Sequence, residues 1–223
     1  MKILTVPAET EILRRKSQPI EKIDAELLAF LEELGETLKG QKDPAGVGLS
    51  AIQVGRQIRA FAMLLPEQRT KAEGRRTKVK STLQFYINPE IMEHSEEMTL
   101  GYDLVPTRLP LDVPDGTSLA MTMPYKRINA STHQPFLEGC LSIPRIYGSV
   151  LRYPWVKAKA TVFFPASRAG GLLPSSFTLD ALAARVFQHE VDHLNGILFT
   201  DHVLAQGNQL YREEEKELVE MEM

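Results

Sequence analysis

Apolar residues recur at helical spacing in two stretches of the chain. Over residues 23–38, Leu27, Leu28, Leu31 and Leu34 fall three and four apart, which predicts an amphipathic helix whose leucines are core. Residues 179–194 lack Pro and Gly and are rich in Ala and Leu, so a second helix is expected there. Thr178 is its candidate N-cap, Asp180 an acid suited to the first turn, and Asn195-Gly196 its stop. Leu182, Val186, His189 and His193 share one stripe of this helix. Strands are predicted at 57–65, 84–87 and 156–164, where β-branched, aromatic and alternating apolar residues gather. Residues 1–20 read as a short strand and turn. From Val203 onward the tail is charged and helix-prone, with Glu213, Glu214, Glu215, Glu217, Glu220 and Glu222 on a solvated acidic face. No internal repeat is present. The elements add up to an α+β fold with antiparallel strands around a central helix, in a single domain spanning 1–223.

Composition narrows the class. A chain of 223 residues can bury a sizeable core in one domain, and 43% hydrophobic with 25% charged residues is ordinary for a globular protein. The formal net charge of -3 gives no reason to expect a specific nucleic-acid partner. No apolar run is long enough to span a membrane, and no signal or transit segment is visible at the start. One cysteine cannot form an internal disulfide and suits a reducing compartment, so a cytoplasmic location is expected.

Three segments carry candidate chemistry. The first is Gln188-His189-Glu190-Val191-Asp192-His193, an H-E-x-x-H motif. On a helix, His189 and His193 lie one turn apart and can grip one metal ion, with Glu190 placed to take a proton from water. Two imidazoles on a buried face need partners, and a metal supplies them. A hydrolytic site usually has three protein ligands. The second segment, Glu138-Gly139-Cys140-Leu141-Ser142, offers the lone cysteine as the third. A lone Cys is more often an inert buried thiol. As a thiolate ligand it would favour Fe²⁺, Zn²⁺ or a similar ion over Mg²⁺ or Ca²⁺. The third segment, Gly46-Val47-Gly48-Leu49-Ser50-Ala51-Ile52-Gln53, alternates Gly with apolar residues, which suits a backbone passing close to a ligand. Gln53 taken alone would be a structural hydrogen-bonder.

Together the three segments resemble the peptide deformylase family, which carries G-φ-G-φ-[AS]-A-x-Q, E-G-C-x-S and Q-H-E-x-D-H in this order. The resemblance implies that Cys140, His189 and His193 are the metal ligands and Glu190 the general base and later acid. It implies that Gln53 and the Leu141 N–H are oxyanion donors. It places Gly48, with Val47, Phe136, Glu138, Gly139, Leu182, Arg185 and Val186, at the substrate. It implies one divalent ion, Fe²⁺ in the cell with Zn²⁺, Ni²⁺ or Co²⁺ in preparations. The implied activity is removal of the N-formyl group from the Met of nascent peptides, and a transient ribosome contact is compatible with it.

Three features depart from the family pattern. Residues 66–80 are rich in Arg and Lys, as a solvated hairpin tip or a contact to ribosomal RNA phosphates would be. Residues 93–135 form a long, Pro-containing link into the Cys140 segment and are positioned to wall the cleft. Arg185 stands one turn before His189, where the family has an apolar residue lining the Met pocket. A cation there must pair or snorkel. Either it swings to the rim or solvent, or the side-chain preference has changed. Two alternatives accompany the deformylase reading: a metal-dependent amidase or peptidase of other specificity, and a non-catalytic ribosome- or peptide-binding descendant.

Overall fold

A computed structural model of the chain describes residues 1–65, 69–72, 75–78, 82–101, 135–164, 172–215 and 217–222. The helices are α1 (Thr10–Leu13), α2 (Ala25–Gly40), α3 (Ala181–Leu194) and α4 (Phe199–Ala205), with a 3₁₀ turn at Ala51–Val54. The strands are β1 (Gly48–Ser50), β2 (Ala60–Leu65), β3 (Arg69–Ala72), β4 (Arg75–Lys78), β5 (Thr82–His94), β6 (Leu137–Cys140), β7 (Ile143–Ser149), β8 (Trp155–Phe163), β9 (Leu172–Asp180), β10 (Leu210–Glu214) and β11 (Glu217–Glu220). They form a five-stranded sheet in the order β1-β2-β5-β8-β9, a four-stranded sheet β11-β10-β7-β6, and the two-stranded ribbon β3-β4. All of the pairings between these strands are antiparallel.

The five-stranded sheet is covered on both faces at β2, whose run Ala60–Leu65 is wholly apolar. Along β2 and β5, Ala60, Ala62, Phe85 and Ile87 join Leu27, Leu31, Leu34 and Leu38 of α2. The alternate residues Phe61, Met63 and Tyr86 join Ala184, Val186 and Phe187 of α3. Asp24 caps α2 by accepting from the Leu27 N–H at 3.0 Å. Each leucine of that stripe contributes about 2 kcal/mol by leaving water. A third cluster, with Leu13, Ile143, Val150, Phe199, Val203 and Leu210, lies against the four-stranded sheet. The motif-bearing α3 thus sits centrally in an α+β fold.

Several boundaries differ from the sequence expectation. β5 runs well past Ile87 because register shifts between Ile87 and Glu90, and between Ile91 and Glu93, accommodate Asn88-Pro89 without breaking the ladder. β9 was not expected, since Pro174, Ser175 and Ser176 dilute its pattern; it is an edge strand, where polar residues and Pro are tolerated. Its ladder to β8 continues through Lys157↔Thr178 to Trp155↔Asp180. Thr178 is therefore a strand residue, and α3 starts at Ala181 behind Asp180, whose side chain makes no cap bond. Residues 1–20 hold α1 but no named strand. Among the described residues the tail is not helical beyond Ala205. Leu210, Tyr211 and Arg212 instead pair with Gly148, Tyr147 and Ile146 of β7, so an available sheet edge overrides helix propensity. Within 66–80, β3 and β4 pair as a hairpin; the basic side chains invoked for RNA contact, and residues 102–134 of the long link, lie outside the described residues.

Candidate metal centre and catalytic groups

β6 ends on Cys140, and α3 presents His189 and His193 one turn apart. Their donor atoms lie within 4.8 Å of one another, and all three residues are buried. His193 Nε2 stands 3.1 Å from Cys140 Sγ. Burial drives His193 well below its ordinary range, so its ring is the neutral imidazole a metal requires. Burial also pushes the Cys140 thiol up to about 12, although the N–H groups of Ser142 and Ile143 bond it and draw it down. A thiolate in this place needs a cation beside it. His189 Nδ1 lies 3.1 Å from a Glu138 oxygen, to which it donates, leaving Nε2 to bind. Two imidazoles and one thiolate fit a borderline divalent ion such as Fe²⁺, Zn²⁺, Ni²⁺ or Co²⁺.

Behind His189 lies a buried charge network. Glu138 has no exposed surface. Its Oε1 accepts from Arg152 Nε (2.9 Å) and Arg185 Nη1 (2.7 Å), and its Oε2 from Arg152 Nη2 (2.9 Å) and His189. Four donors fill the four lone-pair directions of the carboxylate. Burial opposes ionisation of Glu138, but Arg152, His189 and Arg185 outweigh it and hold the carboxyl well below its usual range. Arg152 continues to Asp192 (2.5 Å), which also meets His202 Nε2 at 2.9 Å. Glu138, expected at the substrate, is instead bonded through both carboxylate oxygens to protein groups. Arg185 is corrected too. It is 1% exposed, so it neither lines a pocket mouth nor reaches solvent. Besides Glu138 it bonds the Val150 carbonyl (2.8 Å) and the Thr99 carbonyl (2.9 Å) and lies 5.3 Å from the Phe136 ring centroid. The sequence required a paired cation, and the partner is the acid of the Cys140 segment.

Gln53 is placed by a local device. Ser50 and Gln53 form a capping box around the 3₁₀ turn. Gln53 Oε1 accepts from the Ser50 N–H (2.8 Å) and hydroxyl (2.9 Å). The Ser50 N–H can only donate, so the amide NH₂ must face Ser142 Oγ (3.2 Å) and Cys140 Sγ (3.5 Å). Backbone bonds from Leu4 N–H to the Gln53 carbonyl (2.8 Å) and from Val6 N–H to the Ser142 carbonyl (2.9 Å) tie both loops to the N-terminal segment. The Leu141 N–H donates to no group among the described residues.

Glu190 is buried, and its Oε2 has no hydrogen-bond partner among the described residues. Burial foremost, then Asp192, holds its carboxyl well above the usual carboxylate range, with Arg152 opposing. That suits a group that must accept a proton near neutral pH. Gly48 makes room for it: a Cβ there would lie 2.1 Å from Glu190 Oε1. Gly139 similarly packs under Tyr147, where a Cβ would come within 2.8 Å of the ring. Val47, Phe136 and Val186 are buried in one cluster, with Leu182 partly buried against it. Sequence reasoning missed Arg152, Ser50 and Ser142. Two signals were available: a buried motif acid demands a cation, and Ser-x-x-Gln is a capping box.

Two imidazoles, a cysteine sulfur, a buried acid whose Oε2 has no partner among the described residues, and an aimed amide suit the centre of a metal-dependent hydrolase. The profile of the family described as Polypeptide deformylase matches residues 1–105 and 111–209. A peptide deformylase of Brucella suis biovar 1 (strain 1330) is 32% identical over 193 residues, 86% of this chain and 79% of its own. One from Desulfotalea psychrophila (strain LSv54 / DSM 12343) is 28% identical across 97% of this chain and 95% of its own. Among solved structures, a probable peptide deformylase from Synechococcus phage S-SSM7 aligns with TM-score 0.58 at 29% identity, covering 91% of this chain and 99% of that one. The peptide deformylase of Thermotoga maritima gives 0.56 at 28% identity, over 90% and 95%. The chain belongs to the polypeptide deformylase family, enzymes that remove the N-formyl group from nascent polypeptides. The two segments that looked like departures fall inside the matched residues apart from 106–110.

Proposed function

We propose that the chain works as one catalytic unit that hydrolyses the formamide of N-formyl-Met peptides with the residues just described. The observation that carries the assignment is the buried Glu190 carboxyl, whose Oε2 has no partner among the described residues, beside the Cys140, His189 and His193 donors. When held by those donors, a divalent ion, Fe²⁺ in the cell, supplies Lewis acidity that makes hydroxide accessible near neutral pH. Glu190 takes the proton of the attacking water and returns it to the departing amine nitrogen as the C–N bond breaks. Gln53 Nε2 and the Leu141 N–H donate to the formyl oxygen as it becomes an oxyanion. Val47, Phe136, Leu182 and Val186 enclose the Met side chain, while the backbone at Gly48 and Gly139 lies along the substrate. Formate and a free amino terminus result, which balances one water against one formamide. From action on nascent chains we infer a cytoplasmic location and a transient ribosome contact. Among the described residues no helix is long and apolar enough to cross a membrane.

The test is formate release from formyl-Met-Ala-Ser by protein loaded anaerobically with Fe²⁺, Ni²⁺, Co²⁺ or Zn²⁺. Turnover is expected. A loaded protein that cleaves unformylated peptide instead would be an amidase of other specificity. One that binds the peptide without turnover would be a non-catalytic descendant.

A further inference from the structure

Arg185 is the residue whose sequence position and environment disagree most, and the mechanism leaves it without a task. It lies on α3 one turn before His189 and is almost wholly buried. Its guanidinium meets Glu138 Oε1, the Val150 and Thr99 carbonyls, the Phe136 ring and, across Glu138, the like-charged Arg152. Its Nε has no acceptor among the described residues. Such a buried cation is costly, so its counter-charge matters. Arg152 alone already holds Glu138 through both carboxylate oxygens. Removing Arg185 would therefore leave Glu138 in place but change its charge balance. Two guanidiniums and two carboxylates cancel in the cluster of Arg152, Arg185, Glu138 and Asp192. Without Arg185 the cluster carries one negative charge in excess.

Besides acting through space on His193 and Cys140, that excess reaches the donor set by one hydrogen-bonded route among the described residues. Glu138 Oε2 receives the His189 Nδ1 proton. His193 Nδ1 has no partner among the described residues, so it offers no parallel route. A carboxylate that accepts the other ring N–H of a metal-binding imidazole raises that ring's basicity. A guanidinium on the other oxygen of the same carboxylate withdraws electron density and attenuates that effect. We propose that Arg185 is a positioning residue that acts by charge: it limits how strongly Glu138 polarises His189, and so sets the affinity and Lewis acidity of the Cys140–His189–His193 site for a divalent ion. The proposal rests on those three residues being the metal ligands.

The test compares Arg185→Met and Arg185→Gln, which remove the charge, with Arg185→Lys, which keeps it. Co²⁺ and Zn²⁺ dissociation constants are measured by chelator competition, and the His189 Nδ1–H resonance is followed in Zn²⁺-loaded protein. The neutral variants should bind the ion about tenfold more tightly, move that resonance downfield and lower kcat for formyl-Met-Ala-Ser while KM stays within about twofold. Arg185→Lys should keep the wild-type affinity and resonance. Affinity unchanged in folded neutral variants, with only Tm reduced, would make Arg185 a structural staple and overturn the proposal. So would weaker binding. If neither neutral variant folds, Arg185→Lys decides, because a change in affinity beyond about fivefold contradicts a role carried by charge. Failure of the wild type to bind one ion per chain would instead sink the metal-centre reading itself.

Discussion

Replacing Gly48 by Ala tests the catalytic reading without replacing a proposed ligand or the proton acceptor. The backbone at Gly48 is not in the left-handed region, so alanine is conformationally allowed and only space is at issue. The new Cβ would lie 2.1 Å from Glu190 Oε1, 2.8 Å from its Cδ and 3.0 Å from its Cγ. Comfortable non-bonded contacts are about 3.5 Å, so the carboxylate must retreat by roughly 1 Å or more, or β1 must move. Glu190 hangs from α3, whose core packing against Phe61 and Tyr86 resists adjustment, and the carboxylate is the part free to give. A misplacement of about 1 Å typically costs about a hundredfold in rate, or about 2.7 kcal/mol in the barrier. Formate release by Gly48→Ala should fall by that order, while metal content and Tm stay close to wild type, since Glu190 is not a ligand. In a Glu190→Gln background the same substitution should cost little more, because both changes disable one group. Retention of more than about a third of wild-type kcat/KM would show that the Glu190 position does not limit the rate, and the reasoning would fail.

Other substitutions address the remaining roles. Glu190→Gln should keep the metal yet lose nearly all turnover; more than about a tenth of wild-type activity would exclude it as the base. Cys140→Ser exchanges an anionic sulfur for a neutral hydroxyl, so metal content after dialysis should drop sharply; full occupancy by elemental analysis would remove Cys140 from the ligand set. Gln53→Ala should lower kcat by about a hundredfold to a thousandfold with the metal retained, and a change confined to KM would contradict its role at the oxyanion.

The site was more legible in the sequence than the frame around it. Motif spacing marks His189, Glu190 and His193 because metal chemistry dictates residue type and separation at once, whereas Cys140 was marked by the family resemblance. The α2 leucines were equally plain, since an exposed polar face contrasts with a buried stripe. β9 and the β10-β11 hairpin were not. β9 is an edge strand whose polar residues blur the period, and the tail pairs with β7 through backbone bonds that side-chain composition does not encode. Arg185 shows a subtler limit. Helical spacing placed it correctly beside His189, but its direction depends on Glu138, a residue forty-seven positions earlier in the chain. A buried charge announces that it has a partner without announcing which.

The path of the chain around residues 102–134 has a consequence for how this enzyme can diversify. The strand-like segment before it is held by Thr99, which exchanges backbone bonds with Arg152 and accepts from Arg185. The chain returns at Phe136, whose N–H donates to the Leu100 carbonyl at 2.9 Å. Exit and re-entry are thus tied by backbone bonds to each other and to Arg152, and through Arg185 to the buried Glu138 network. Doubling the length of what lies between adds only about 0.6 kcal/mol of closure entropy. The anchors at Thr99, Leu100 and Phe136 are therefore compatible with a stretch of different length between them, the ligands being held separately by β6 and α3.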